Sequence, residues 1–248
     1  MAGGQPATPG QAAAHGQAPH PGQAVAAHGR TLTIEQRVLA RNDALAERNR
    51  AWLAGRGVLA LNLMSSPGSG KTTLLERTIR DLGDRLPVAV IEGDQETAFD
   101  ADRIRATGCQ AVQVNTGSGC HLDAAMLSGA LDRLRLTPGS VVFVENVGNL
   151  VCPALFDLGE ARRVVITSVT EGADKPVKYP HMFRTADLVL LNKIDLLPYV
   201  GFSCEEFRAR LRQVNPAAPV VTTSATRGDG VPEWLAWLRE QTGEDGFP

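Results

Sequence analysis

Residues 58–66, VLALNLMSS, run directly into SSPGSGKTT (65–73) and then KTTLLERTIRDL. A nearly continuous apolar run reads as a strand buried on both faces, and the segment that follows has helical periodicity. Between them the small residues let the backbone turn its N–H groups inward around an anion, while the opening helix adds its positive end. Gly70, Lys71 and Thr72 fill the decisive places of x-x-x-x-x-G-K-[ST]: Lys71 is expected at the β/γ-phosphates and the Thr72 hydroxyl on Mg2+. Ser66, Pro67, Gly68, Ser69 and Thr73 complete the nucleotide-binding loop. Ser65 stands where the motif usually begins with Gly. A Gly/Ser turn without a ligand is the plain alternative, and the strand–loop–helix context argues against it.

The rest of the chain repeats this alternation. Strand patterns follow at VAVIEGD, AVQVNT, SVVFVENV, RVVITSV, DLVLLNKID and PVVTTSA, with helical stretches between most of them. The pattern predicts an α/β chain: a three-layer P-loop NTPase with a mainly parallel sheet, preceded by an N-terminal helix. Aromatics are only 5% of the residues, so aliphatic side chains must build the core. Three zones are expected: a low-complexity tail over 1–30, a helix over 31–57 and a GTP-binding domain over 58–248. The tail, rich in Ala, Gly, Pro, Gln and His, has too few large apolar residues to offset ordering and is expected to be disordered. Its His15, His20 and His28 fit either a plain linker or a weak metal-collecting segment. The helix is expected to open at a Thr33-x-x-Gln36 capping box and end before Gly55 and Gly57.

A formal charge of −2 speaks against nucleic acid and against a polybasic membrane surface. No apolar run approaches the roughly 20 residues that span a bilayer, and no leader pattern opens the chain. The four cysteines are therefore expected as reduced thiols in the cytoplasm.

Guanine specificity is expected from LLNKID (190–195) and TSA (223–225). Asp195 can accept from the ring N1–H and the 2-amino group of guanine, and adenine offers neither. Asn192 would help hold the base, the Lys193 stem would cover its face, and backbone N–H groups near Ser224 and Ala225 would meet O6. GTP and GDP are the expected ligands. Asp94 and Glu145, at the ends of two strand patterns, are the acidic candidates for Mg2+ and for orienting the attacking water; either could instead cap a helix. Asn149 follows Gly148 where many GTPases place a water-orienting Gln, so slow hydrolysis is expected in the monomer, with groups supplied across a dimer.

NTGSGCHLDA (115–124) places Cys120 beside His121, and VGNLVCP brings Cys152 to the same sheet edge. These are ligand types for Zn2+ and Ni2+, and a two-fold dimer would complete a three-ligand site. By spacing alone, a metal site and an accident of composition both stand. A nucleophilic Cys–His pair is disfavoured, since adjacent side chains point apart, and Cys109 and Cys204 are assigned to packing.

Taken together, SSPGSGKTTLLE, EGDQET, NTGSGCHLDA, FVENVGNLVCPA, VTEGADKPVKYP and VLLNKIDLLPY resemble the HypB family of hydrogenase-maturation GTPases, nickel-insertion factors of the SIMIBI class. The resemblance runs from about Thr31 onward. It implies a homodimer dependent on nucleotide and metal, with Cys120, His121 and Cys152 binding Zn2+ or Ni2+ near the dimer interface. It implies delivery of nickel to a [NiFe]-hydrogenase large subunit, alongside a nickel-binding accessory protein. It also points to Lys175 and Lys178 as dimer-segment residues. Unlike some members, the chain has no cysteine before Cys109, so a tight N-terminal nickel site is not expected. The related urease GTPases carry a Cys-Pro-His arrangement. Here Cys-His precedes a distant Cys-Pro, which favours hydrogenase. A small-molecule kinase is disfavoured by the guanine motif, and GTP turnover would separate a metal-storage protein.

Overall fold

The computed structural model describes residues 21–94, 99–117 and 119–243. Residues up to Val38 and residues from Leu39 onward are separate compact units. In the first unit the described backbone is helical: α1 (Pro21–Ala54) opens twelve residues before Thr33. Residues 21–30, expected to be disordered, thus have helical backbone. Ala24, Ala26 and Ala27 are strong helix formers, and Pro21 suits a first helical position. His15 and His20 lie outside the described residues.

The second unit holds seven parallel strands: β1 (Leu59–Ser65), β2 (Val88–Asp94), β3 (Gln110–Asn115), β4 (Val141–Glu145), β5 (Arg162–Ser168), β6 (Leu188–Asn192) and β7 (Val220–Thr222). Their order across the sheet is β3-β2-β4-β1-β5-β6-β7. The winding reverses around β1 and β4, which opens a crevice at their carboxyl ends. β1 alternates its buried side chains between two layers. Leu61 and Leu63 join α2 (Lys71–Leu82) and α8 (Val231–Gln241) in one apolar cluster. On the opposite face, Ala60 packs with α4 (Ala124–Leu131) and with Leu53 near the end of α1, and Met64 packs with α6 (Pro180–Arg184) and α7 (Cys204–Val214). The remaining helices are α3 (Phe99–Arg105) and the short α5 (Lys175–Lys178). Trp234, fully buried on α8, satisfies its indole N–H by donating to Thr78 Oγ1 at 2.9 Å. No helix among the described residues is long and apolar enough to cross a membrane.

This topology brings Ser65, Asp94, Asn115, Glu145, Ser168 and Asn192, each the last residue of its strand, to one edge.

Candidate nucleotide and metal site

The loop after β1 caps a cleft of about 590 Å3 lined by Pro67 through Thr73, Asp94, Glu145, Gly148, Asn149, Lys193 and Cys120. Gly70 has φ +96°, and a Cβ there would stand 2.6 Å from Asn192 Nδ2, so this close turn requires glycine. Ser65, the departure from the usual motif, accepts a hydrogen bond from Lys71 Nζ at 2.7 Å and so holds the cation in place. Burial pulls the Lys71 pKa down, while the charge of Glu145 opposes the shift.

The Thr72 hydroxyl donates to Glu145 Oε1 at 2.7 Å. Glu145 Oε2 is buried without a hydrogen-bond partner among the described residues, as is Ser69 Oγ. Burial raises the Glu145 pKa against the pull of Lys71 and the Thr72 hydrogen bond. Two hard oxygen donors with one carboxylate oxygen to spare fit a Mg2+ ion. Asp94 lines the same cleft.

Sequence reasoning missed three groups here. Glu92 is buried on β2, in register with Glu145 of β4. Burial, then the charges of Glu145 and Asp94, push its pKa up to about 8. Arg103 of α3 lines the cleft, donating to Asp100 at 3.1 Å, to Glu76 at 2.9 Å and to Thr73 Oγ1 at 3.2 Å. Glu171 accepts from the Ser66 hydroxyl and, at 3.0 Å, from the Ser168 N–H, joining the phosphate loop to the segment after β5. The sequence signal for Arg103 was Asp100-x-x-Arg103, a helical ion pair opening just past Asp94.

The segment expected to recognise the base is tied to the same loop. Asn192 Nδ2 donates to the Ser69 carbonyl at 3.0 Å, and its Oδ1 accepts from the Ala225 N–H at 3.1 Å. Lys193, with φ +63°, reaches back to the Gly68 carbonyl at 2.6 Å. The Ser224 hydroxyl donates to Asp195 Oδ1 at 2.6 Å and fixes that carboxylate. The Ser224 N–H is taken by the Asp229 carbonyl at 2.9 Å. Both of these backbone N–H groups are thus engaged within the loop.

Cys120, His121 and Cys152 are half-buried, and their ligand atoms all lie within 4.8 Å of one another. Cys120 Sγ is 3.6 Å from His121 Nδ1. The expectation that these neighbours point apart is corrected: that divergence belongs to extended chain, and here the chain bends. The His121 ring stacks on Phe156 of the other loop, with centroids 3.8 Å apart. Burial lowers the His121 pKa, opposed by Asp123, and favours the neutral imidazole a metal needs. The Cys120 thiol, hydrogen-bonded to Cys152, raises the pKa of Cys152. A cation lying between two such sulfurs would reverse that, since it favours both thiolates.

Polar contacts connect this group to the phosphate cleft. Asn146, buried directly after Glu145, accepts from the Leu122 N–H at 3.1 Å and donates to Asn62 on β1 at 3.2 Å. Asn62 donates to Glu160 at 3.3 Å, and Glu160 accepts from the Leu158 N–H at 2.8 Å. Asn149 accepts from the N–H groups of Val151 and Cys152, at 2.7 and 3.3 Å. The residue in the usual place of a water-orienting Gln is therefore occupied in shaping the Cys152 loop. Lys175 lies over the Tyr179 ring at 5.2 Å, and exposed Lys178 pairs with Asp174 at 2.6 Å. Cys109 and Cys204, expected in packing, pack partly buried against the apolar clusters.

Residues 59–222 match the family described as CobW/HypB/UreG, nucleotide-binding domain. The hydrogenase maturation factor HypB of Escherichia coli K12 is 59% identical over 212 residues, which are 86% of this chain and 73% of the relative. HypB from Archaeoglobus fulgidus superposes with a TM-score of 0.77 at 42% identity, over 82% of this chain and all of that one. Helicobacter pylori HypB, solved in complex with nickel, gives a TM-score of 0.79 at 38% identity, over 84% of this chain and 98% of that one. A nucleotide-type cleft and a Cys/His group on one sheet edge accord with these matches, and the chain belongs to the CobW/HypB/UreG family, among its HypB hydrogenase maturation factors.

Proposed function

We propose that the chain is a GTP-hydrolysing metallochaperone that helps deliver nickel to the large subunit of a [NiFe]-hydrogenase. One observation carries this reading: Cys120 lines the same cleft as Lys71, Thr72 and Glu145. The nickel held by the H. pylori relative supports a cargo of that kind.

Backbone N–H groups of residues 66–73 and the Lys71 ammonium bind the phosphates, and Asp195 selects guanine. Thr72 and Glu145, with Asp94, would hold Mg2+, which would supply neutralising charge to the phosphates. Asp94 orients the attacking water. Because Asn149 is engaged with the Cys152 loop, water is poorly held in the monomer and turnover is slow. Filling the cleft resets the Glu145–Gly148 segment. Asn146 passes that shift to Leu122, beside His121, and Asn149 passes it to Cys152. Nickel is the cargo of Cys120, His121 and Cys152. A second copy of the chain completes the three-ligand set, with Lys175 and Lys178 in the dimer segment. Nucleotide state, metal affinity and dimerisation are then linked reciprocally.

The test is calorimetric titration of Ni2+ and of Zn2+ with GDP or with a non-hydrolysable GTP analogue, with mass followed by light scattering. Metal binding that shifts with nucleotide, requires Cys120 and accompanies dimerisation is the expected result. Binding indifferent to nucleotide and to Cys120→Ala would overturn the coupling.

A further inference from the structure

Helix α1 contributes a row of side chains at Asn42, Ala46 and Asn49, which the spacing of four and three residues places on one helical face. All three are buried. Each asparagine touches both loops that carry the metal ligands. Asn42 Oδ1 accepts from the Ala124 N–H at 2.9 Å, and its Nδ2 donates to the Asp157 carbonyl at 2.7 Å. Asn49 Nδ2 donates to the Ala124 carbonyl at 2.8 Å and to the Leu158 carbonyl at 2.9 Å. Ala124 lies three residues beyond His121, and Asp157 five beyond Cys152.

Between the two amides the Cys152-bearing segment meets the helix backbone itself. Gly159, at φ +90°, comes so close that a Cβ there would stand 2.3 Å from the Ala46 carbonyl oxygen. Arg50, the next residue along α1, holds both Asp157 carboxylate oxygens, at 2.9 and 2.7 Å. One helix therefore holds two loops that also share the Phe156–His121 stack, the Cys120–Cys152 hydrogen bond and the polar chain through Asn146.

We infer that Asn42 and Asn49 are positioning residues of the metal site, and that α1 is the brace fixing the distance between the Cys120–His121 pair and Cys152. This rests on the metal reading of the Cys/His group. The physical reason is preorganisation: two thiolates and an imidazole on two loops bind weakly unless the loops are held before the ion arrives, and partners beyond the ligands commonly contribute about 10- to 100-fold in affinity.

The test is Ni2+ titration of the full chain, followed by thiolate-to-nickel charge-transfer absorbance. GDP affinity without metal and the urea midpoint are measured alongside. The Asn42→Ala, Asn49→Ala double variant is expected to bind Ni2+ about 10- to 100-fold more weakly, with GDP affinity unchanged. Arg50→Ala touches only the Cys152 side from a partly exposed position, so it remains folded should the double variant not, and a several-fold loss is expected. Nickel affinity equal to that of the unmodified chain in a folded double variant, or in Arg50→Ala where the double variant unfolds, would overturn the brace. Nickel binding by the unmodified chain that survives Cys120→Ala would instead bring down the metal site itself, and the brace with it.

Discussion

Replacing Asp195 by Asn tests the guanine reading most directly, because the structure separates the chemistry of the carboxylate from its support. The side chain stands at the start of a 3-10 turn (Ile194–Tyr199), immediately after the left-handed Lys193. The Ser224 hydroxyl donates to one of its oxygens at 2.6 Å. A carboxamide oxygen accepts that same bond, so Asp195→Asn preserves the loop while changing what faces the base. Against guanine, a carboxylate takes two donors, N1–H and the 2-amino group. Hydrogen bonds to a charged group contribute about 1.5–3 kcal/mol each, so losing their charge and opposing one donor with another costs about 3–6 kcal/mol. At about 1.4 kcal/mol per decade, GTP affinity should fall roughly 100- to 10,000-fold. Xanthine has a carbonyl at that carbon, so the Asn oxygen accepts from N1–H while its NH2 donates to the carbonyl. XTP should therefore bind the variant better than GTP does. Displacement of a fluorescent nucleotide by GTP, GDP, XTP and ATP reads all four affinities. Retention of GTP affinity within about threefold, or loss of GTP with no gain of XTP, would refute the assignment of Asp195.

A carboxyl whose pKa rises on folding favours the folded state while protonated. For Glu92, pushed from 4.5 up to about 8, stability is lost as pH climbs through that interval. The urea midpoint of the nucleotide-free protein should fall between pH 5 and 8.5, and Glu92→Gln should flatten that fall; an unchanged slope would show that Glu92 ionises normally. Cys109 donates its S–H to the Val88 carbonyl at 3.2 Å, and burial pushes its thiol up to about 11. At pH 8 about one Cys109 in a thousand is thiolate, so iodoacetamide followed by peptide mass spectrometry should leave it unmodified, and preferential labelling there would contradict its burial. Asn146→Leu removes the acceptor of the Leu122 N–H while leaving Lys71 and Thr72 in place. It should keep GDP affinity yet weaken the nucleotide dependence of nickel affinity, the Asn149 contacts to the Cys152 loop remaining; coupling equal to that of the unmodified chain would exclude Asn146 as a link.

All seven strands were legible because each is an aliphatic run bounded by a turn or a helix, and a central parallel sheet leaves no other pattern open. The phosphate loop was legible for a related reason: its chemistry resides in contiguous residues, as it does in the segment expected to recognise the base. What the sequence hid depends on strand order. Glu92 faces Glu145 only because β4 inserts between β1 and β2, and no spacing in the chain announces that. Arg103 and Glu171 became site residues through contacts with Thr73 and Ser66, far away in sequence. The Cys120–His121 pair was misread locally, because the alternation of neighbouring side chains holds in strands and this loop is bent. The early start of α1 was missed for the opposite reason. Its alanines looked like low complexity, whereas alanine alone carries high helix propensity.

The polar side chains that hold the loops of the Cys/His group are largely carboxamides: Asn146 and Asn149 on the side of the cleft, Asn42 and Asn49 on the side of α1. Buried amides are costly unless paired, and an apolar core of the same volume would often be more stable. Their use here has a chemical rationale. Asn42, Asn146 and Asn149 each both accept and donate, Asn149 taking two backbone N–H groups while donating to the Cys152 sulfur, and Asn49 donates to both loops. An asparagine offers a donor and an acceptor from one short side chain. A carboxylate could only accept, would titrate as its surroundings changed, and would compete as a ligand for a borderline cation beside two cysteines. A histidine would do both. Asparagine is neutral across the working pH range and a weak metal ligand. In the proposed metal site it would position the two cysteines without capturing an ion itself, and it would leave the charge of the site to the thiols.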